Sequence, residues 1–137
     1  MLPEPVIRLI REEQARQQGC FIQNVDLDAY LAKLATRAEI VSDWVGDRCR
    51  GVVAFYCNDL ASRQAYITLL LVSPLDRGMG IGRALVAFVL NTAKKLGFTA
   101  CRLEVDRNNR VAYEFYRSQG FSLVESRGEK DLLEVTL

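Results

Sequence analysis

Histidine is absent from the chain. That absence excludes Ser/His/Asp and Cys/His nucleophilic triads, HExxH metalloprotease sites and any imidazole general base. Chemistry must therefore fall to carboxylates, tyrosines, serines, cysteines, lysines or main-chain amides. An excess of charge of one sign is also missing: 18 Lys and Arg stand against 17 Asp and Glu, a formal charge of +1. Such a balance leaves no electrostatic footprint for nucleic acid or anionic lipid. No apolar run approaches the roughly 20 residues of a membrane-spanning helix, and Met1 to Arg11 lacks the continuous apolar stretch of a signal peptide. The expectation is a soluble, cytoplasmic protein with neither nucleic acid nor membrane as partner. Cysteine is present at positions 20, 49, 57 and 101, but no CxxC pair points to zinc or redox chemistry. These residues read as reduced, mostly buried thiols, and no metal is expected.

What is there suits one compact domain over residues 1–137: half the chain is apolar and 26% charged, enough for an ordinary core and too short for two full domains. Val6, Leu9, Ile10 and Glu13 recur at helical spacing over residues 4–17. Leu27, Tyr30, Leu31 and Leu34 do so after Asp26, a candidate N-cap. Glu39 to Val45 and Arg50 to Cys57 read as a hairpin through Gly46, Asp47 and Arg48, and Tyr66 to Val72 as a central strand covered on both faces. Ala84, Leu85, Phe88, Val89, Thr92 and Leu96 mark a helix closed by Gly97. Thr99 to Val105 alternates, with Arg102, Glu104 and Asp106 on its polar face. A short helix from about Asn109 to Ser118 and a terminal hairpin, Phe121 to Glu125 with Asp131 to Leu137, complete a mixed α/β sheet.

Between the central strand and its helix lie Arg77, Gly78, Met79, Gly80, Ile81, Gly82 and Arg83. Glycine lets main-chain amides approach an anion, and the helix dipole favours negative charge at that end, so the segment suits a phosphate or pyrophosphate. It fits neither GxGxxG nor a Walker loop. On glycine pattern alone, a tight strand-to-helix turn explains it as well.

Arg77, Gly80 and Gly82 give [RQ]xxGx[GA], and Asn109, Ala112, Tyr116, Gly120 and Phe121 give NxxAxxxYxxxGF. With these two motifs in order, the sequence resembles the GNAT superfamily of N-acetyltransferases over roughly residues 39 to 125. Through Leu103, Glu104 and Val105 it looks closest to the branch of the ribosomal-protein alanine acetyltransferases. The resemblance implies a single domain with a mixed central β-sheet splayed between two parallel strands, flanked by about four helices. It implies acetyl-CoA as acyl donor, its pantetheine arm on the main chain of Leu70, Leu71 and Val72, and its pyrophosphate on the amides from Gly78 to Arg83. Arg77 and Arg83 would partner phosphates, or be solvated loop arginines. The helix-like start, where many members open with a strand, departs from the family pattern.

Transfer of an acetyl group from a thioester to an amine needs a neutral amine, a stabilised oxyanion and a proton for the departing thiolate. The resemblance implies Tyr116 as the acid near the sulfur; helical periodicity equally allows a core tyrosine beside Phe115. It implies Glu104 as the base; the alternation of Arg102, Glu104 and Asp106 equally allows a solvated strand face. Thr68 stands where some members carry an acid. Asn109 is implied to contact the cofactor and also reads as a helix cap, with Asn108 competing. No cysteine sits in a motif that would activate it, which favours direct attack in a ternary complex. The acceptor amine (small molecule, amino sugar or peptide N-terminus) falls to the segments before residue 60 and to the terminal hairpin. Trp44, Tyr56, Asn58 and Asp59 read there either as contacts or as strand packing and a polar turn. A non-catalytic acyl-CoA-binding module is the alternative, and an unrelated phosphate-binding domain a more distant one. A homodimer through a strand edge or the first helix stays open.

Overall fold

The computed structural model describes residues 2–23 and 25–137. Helix α1 (Glu4–Arg16) carries Pro5 in its first turn, where a missing N–H breaks no intrahelical bond, and it buries Val6, Leu9, Ile10 and Glu13. Helix α2 (Leu27–Arg37) starts where Asp26 accepts a hydrogen bond from the Ala29 amide at 3.0 Å. Strands β1 (Glu39–Val45) and β2 (Arg48–Tyr56) follow. Their turn is Gly46–Asp47, with Gly46 at φ +56; Arg48, expected in the turn, already begins β2. Then come β3 (Gln64–Val72), a 3-10 turn at Pro74–Asp76, and α3 (Ile81–Lys95). The chain finishes with β4 (Ala100–Asp106), α4 (Arg110–Ser118), β5 (Ser122–Arg127) and β6 (Lys130–Thr136).

The six strands form one mixed sheet in the order β1-β2-β3-β4-β6-β5. With four α-helices among the described residues, this is the α/β architecture expected from the sequence. β3 and β4 are parallel, in register from Gln64↔Ala100 to Tyr66↔Arg102, the opening residues of each strand. β4 pairs with β6 along its whole length, from Ala100↔Thr136 to Asp106↔Lys130. β5 lies outermost, exposed at every position, with a register shift between Leu123 and Glu125.

The fold's close contacts divide it into two compact units, Met1–Ala54 with Leu69–Leu85, and Phe55–Thr68 with Val86–Leu137. The first has a continuous core in which Val6, Ile10, Leu31 and Leu34 of the helices meet Val52, Ala54, Leu69 and Leu71 of the strands. In the second, Cys101 and Leu103 of β4 and Leu132 and Leu133 of β6 are sealed from solvent.

Two expectations are corrected. Strand β3 is not covered on both faces: Ala65, Ile67, Leu69 and Leu71 are buried, while the residues between them are half-buried. An apolar run permits burial on both faces without supplying what would cover them. On α3 the buried stripe is Ile81, Leu85, Val86, Val89 and Ala93, whereas Ala84, Phe88 and Leu96 are exposed. Apolar residues encircle the first turns of this helix, so periodicity establishes a helix without selecting its inner face.

Candidate functional site

In the first unit, the segment after β3 is pinned before it reaches the glycines. The Ser73 amide donates to the Arg50 carbonyl at 2.7 Å. Asp76, buried, is gripped by Arg48 (Nη2 to Oδ1 3.0 Å), whose hydrogen bond holds its carboxyl below the usual range. Gly78 and Gly80 then adopt φ +82 and +80, a region L side chains rarely occupy, and nothing lies within 4 Å of where a Cβ would stand. Among the described residues, the amides of Gly80, Ile81, Gly82 and Arg83 have no acceptor, and the Ala84 amide makes the first helical bond, to Gly80 O at 3.0 Å. The outcome is a cluster of amides without acceptors, among the described residues, at the positive end of a 15-residue helix.

Two residues support that helix start in ways the sequence reading did not include. Gly51 on β2 would, with a Cβ, come within 3.0 Å of Ile81 Cγ2 and 3.3 Å of Leu71 O, so its bareness lets α3 begin close to the sheet. A lone glycine inside a strand pattern was the available signal. Arg77 turns its guanidinium to the chain itself: Nε donates to Val72 O at 3.2 Å, and Nη2 meets the buried Glu13 carboxylate at 3.4 Å. Glu13 also accepts from Arg16 and from Gln17 (2.7 Å). Arg77 thus braces the loop against β3 and α1. Arg83 and Met79 are exposed, Leu70 and Val72 half-buried, and Leu71 buried.

In the second unit, the polar face of β4 is not uniform. Arg102 is bonded to Glu134 at 2.6 Å, and Asp106 accepts from the Asn108 amide at 2.8 Å. Glu104 between them is exposed and accepts from the Tyr66 hydroxyl at 3.2 Å. Asn109, rather than Asn108, caps α4 by accepting from the Ala112 amide at 3.2 Å.

Helix α4 carries two tyrosines of opposite character. Tyr113 donates to Asp131 at 2.9 Å, and that bond raises its phenol. Tyr116, half-buried, stacks edge-on against Phe115 (5.4 Å between centroids) and Phe121 (6.0 Å). Its hydroxyl has no hydrogen-bond partner among the described residues, and burial pushes it up to about 12. It stays protonated at neutral pH with its donor uncommitted. Asp131, which no sequence signal marked, is 3% exposed and also accepts from Arg107 and Ser126, each at 2.9 Å. The Arg107 bond leads in holding its carboxyl below the usual range. This network floors a pocket of about 420 Å³ that includes Arg110 and Arg117 but neither Glu104 nor Tyr116.

None of the four cysteines is in a disulfide, and only Cys49 and Cys101 are buried; Cys57 is half-buried and Cys20 exposed. Burial raises both buried thiols, Cys101 to about 12. Toward the expected acceptor side, Trp44 donates to Ser42 at 2.9 Å, and Asp59 accepts from the Ala61 and Ser62 amides at 3.2 Å, the bonding of a polar turn.

A family model described as the acetyltransferase (GNAT) family matches residues 8–121. Probable N-acetyltransferase san of Drosophila melanogaster is 38% identical over 99 residues, covering 71% of this chain and 50% of the fly protein. The chain thus spans about half the length of that curated relative. Among solved structures, PaiA N-acetyltransferase of Thermoplasma acidophilum in complex with coenzyme A superposes with a TM-score of 0.68 at 20% identity, over 100% of this chain and 81% of that one. The ribosomal-protein-S18-alanine N-acetyltransferase of Escherichia coli gives 0.75 at 15% identity, over 98% and 90%. These two likenesses are of fold.

Proposed function

Because this chain belongs to the acetyltransferase (GNAT) family, we propose that it moves an acetyl group from acetyl-CoA to a primary amine by direct attack, as one domain over residues 1–137. The observation that carries the reading is the start of α3: amides of Gly80 to Arg83 without acceptors, beside two glycines whose Cβ positions are open. Such a cluster of amides fits a pyrophosphate. The amides from Gly78 to Arg83 would hold it, with Arg83 and the exposed part of Arg77 adding charge, while the main chain of Leu70, Leu71 and Val72 takes the pantetheine arm and Asn109 a further cofactor contact.

Acetyl-CoA, when bound, supplies the activated thioester carbon. Glu104 accepts the proton shed by the amine as the N–C bond forms, and Tyr116 gives its proton to the sulfur as the C–S bond breaks. Solvent then restores both groups. The Tyr116 phenol stays protonated at neutral pH and has no hydrogen-bond partner among the described residues, so its proton is available to the sulfur. An exposed carboxylate not bonded to a cation suits the base. The buried thiols, raised by burial, are poor covalent carriers. The acceptor, a small amine, amino sugar or peptide N-terminus, is read by segments before residue 60 and by the β5-β6 hairpin. The protein works in the cytoplasm.

Calorimetric titration with acetyl-CoA, against CoA, ATP and NAD, tests the cofactor; thiol release across a panel of amines tests the transfer. Acetyl-CoA binding with amine-dependent release is expected. No acetyl-CoA binding would overturn the reading of the loop, and binding without release from any amine would favour a non-catalytic acyl-CoA-binding module.

A further inference from the structure

We infer that Tyr66 is a positioning residue for Glu104, holding its carboxylate oriented toward the acceptor amine; the inference rests on the reading of Glu104 as the base. Tyr66 on β3 is in register with Arg102 on β4, so its side chain leaves the sheet on the same face as Arg102 and, two residues on, Glu104. Its hydroxyl reaches Glu104 Oε1 at 3.2 Å. That is long for an O–H···O bond, as catalytic hydrogen bonds often are before substrate arrives.

The surrounding charges make this contact informative. Two cations on that part of the face are committed elsewhere: Arg102 to Glu134 at 2.6 Å, and Arg127 to Glu125 at 2.8 Å. Arg127 is close enough that Glu104 and Tyr66 both help to raise its pKa, yet its bond is to Glu125. A guanidinium clamped on Glu104 would orient it and blunt its basicity together. A neutral phenol orients one oxygen without neutralising the charge, and leaves Oε2 to take a proton directly or through one water. An exposed glutamate without that partner would spread over its rotamers, and fewer encounters would find the productive one.

The experiment is a double-mutant cycle of Tyr66→Phe and Glu104→Gln, read as kcat, KM for acetyl-CoA and thermal midpoint, with the best amine of the panel as acceptor. Tyr66→Phe is expected to lower kcat about tenfold with KM for acetyl-CoA and the midpoint unchanged, and to have no further effect once Glu104 is Gln. Wild-type kcat in Glu104→Gln would remove the base and this inference with it. A slow Glu104→Gln beside a wild-type Tyr66→Phe would overturn the inference alone. So would multiplying effects in the double variant, because Tyr66 would then act independently of Glu104.

Discussion

In the proposed reaction, the start of α3 and the neighbourhood of β4 and α4 would contribute by different means. At the first, side chains are occupied with one another, Arg48 with Asp76 and Arg77 with Glu13, and what remains open is main chain. At the second, the main chain is consumed by the β4-β6 ladder and the Asn109 cap, and what remains open is a carboxylate and a phenol. A binding surface made of amides tolerates many side chains and fails when its backbone is bent. A proton-transfer apparatus tolerates backbone adjustment and fails on the loss of one oxygen. In the proposed reaction that difference would separate affinity from rate.

The largest effect should come from Gly80→Asp, which sets a carboxylate beside those amides and forces an L residue to φ +80. Acetyl-CoA affinity measured by calorimetry should fall at least about 100-fold, while far-ultraviolet dichroism stays native. Next is a pair on one helix: Tyr116→Phe should lower kcat by roughly 10² to 10⁴ with little change in acetyl-CoA affinity. Tyr113→Phe should leave kcat alone and cost about 1 kcal/mol in urea unfolding through its bond to Asp131. Equal losses in both would erase the distinction between them. Gly51→Ala should destabilise by about 1–3 kcal/mol through crowding against Ile81 and Leu71, and should weaken acetyl-CoA binding more than it slows turnover. Were turnover hit first, the separation of affinity from rate would be wrong.

The smallest effect concerns pH. Asp76 and Asp131 are both held below their ordinary range by an arginine hydrogen bond. Their contribution to stability is therefore complete above the unfolded carboxylate value of about 4 and lost as pH falls through the lower folded values. With no histidine to titrate, the thermal midpoint should be flat between about pH 5.5 and 8 and decline below about pH 4. Asp131→Asn should soften that acid decline.

How much of this could be read beforehand follows from the range of each interaction. Asp26 and Asn109 were legible as caps because a cap bonds an amide three residues away. The glycine loop was legible because its conformation is written locally. The motifs point to Glu104 and Tyr116 and say nothing of their surroundings. Tyr66 was passed over as a strand residue, since nothing local says that its hydroxyl lies beside a residue 38 positions on. Asp131 was lost in the same way, its partners arriving from β5, α4 and the loop before it. The rotation of α3 escaped because only its packing partners decide which of many apolar residues turn inward.

β5 is the outermost strand, exposed at all six positions, and carries Leu123 and Val124 with 54% and 45% of their surface in solvent. Such an edge is a template for uncontrolled strand addition, and two features blunt it: the register shift at Leu123/Glu125 and the Glu125–Arg127 ion pair beside it. One of these guards is geometric and indifferent to electrolyte, and the other is electrostatic and screened by it. The electrostatic guard should therefore weaken as ionic strength rises while the geometric one does not.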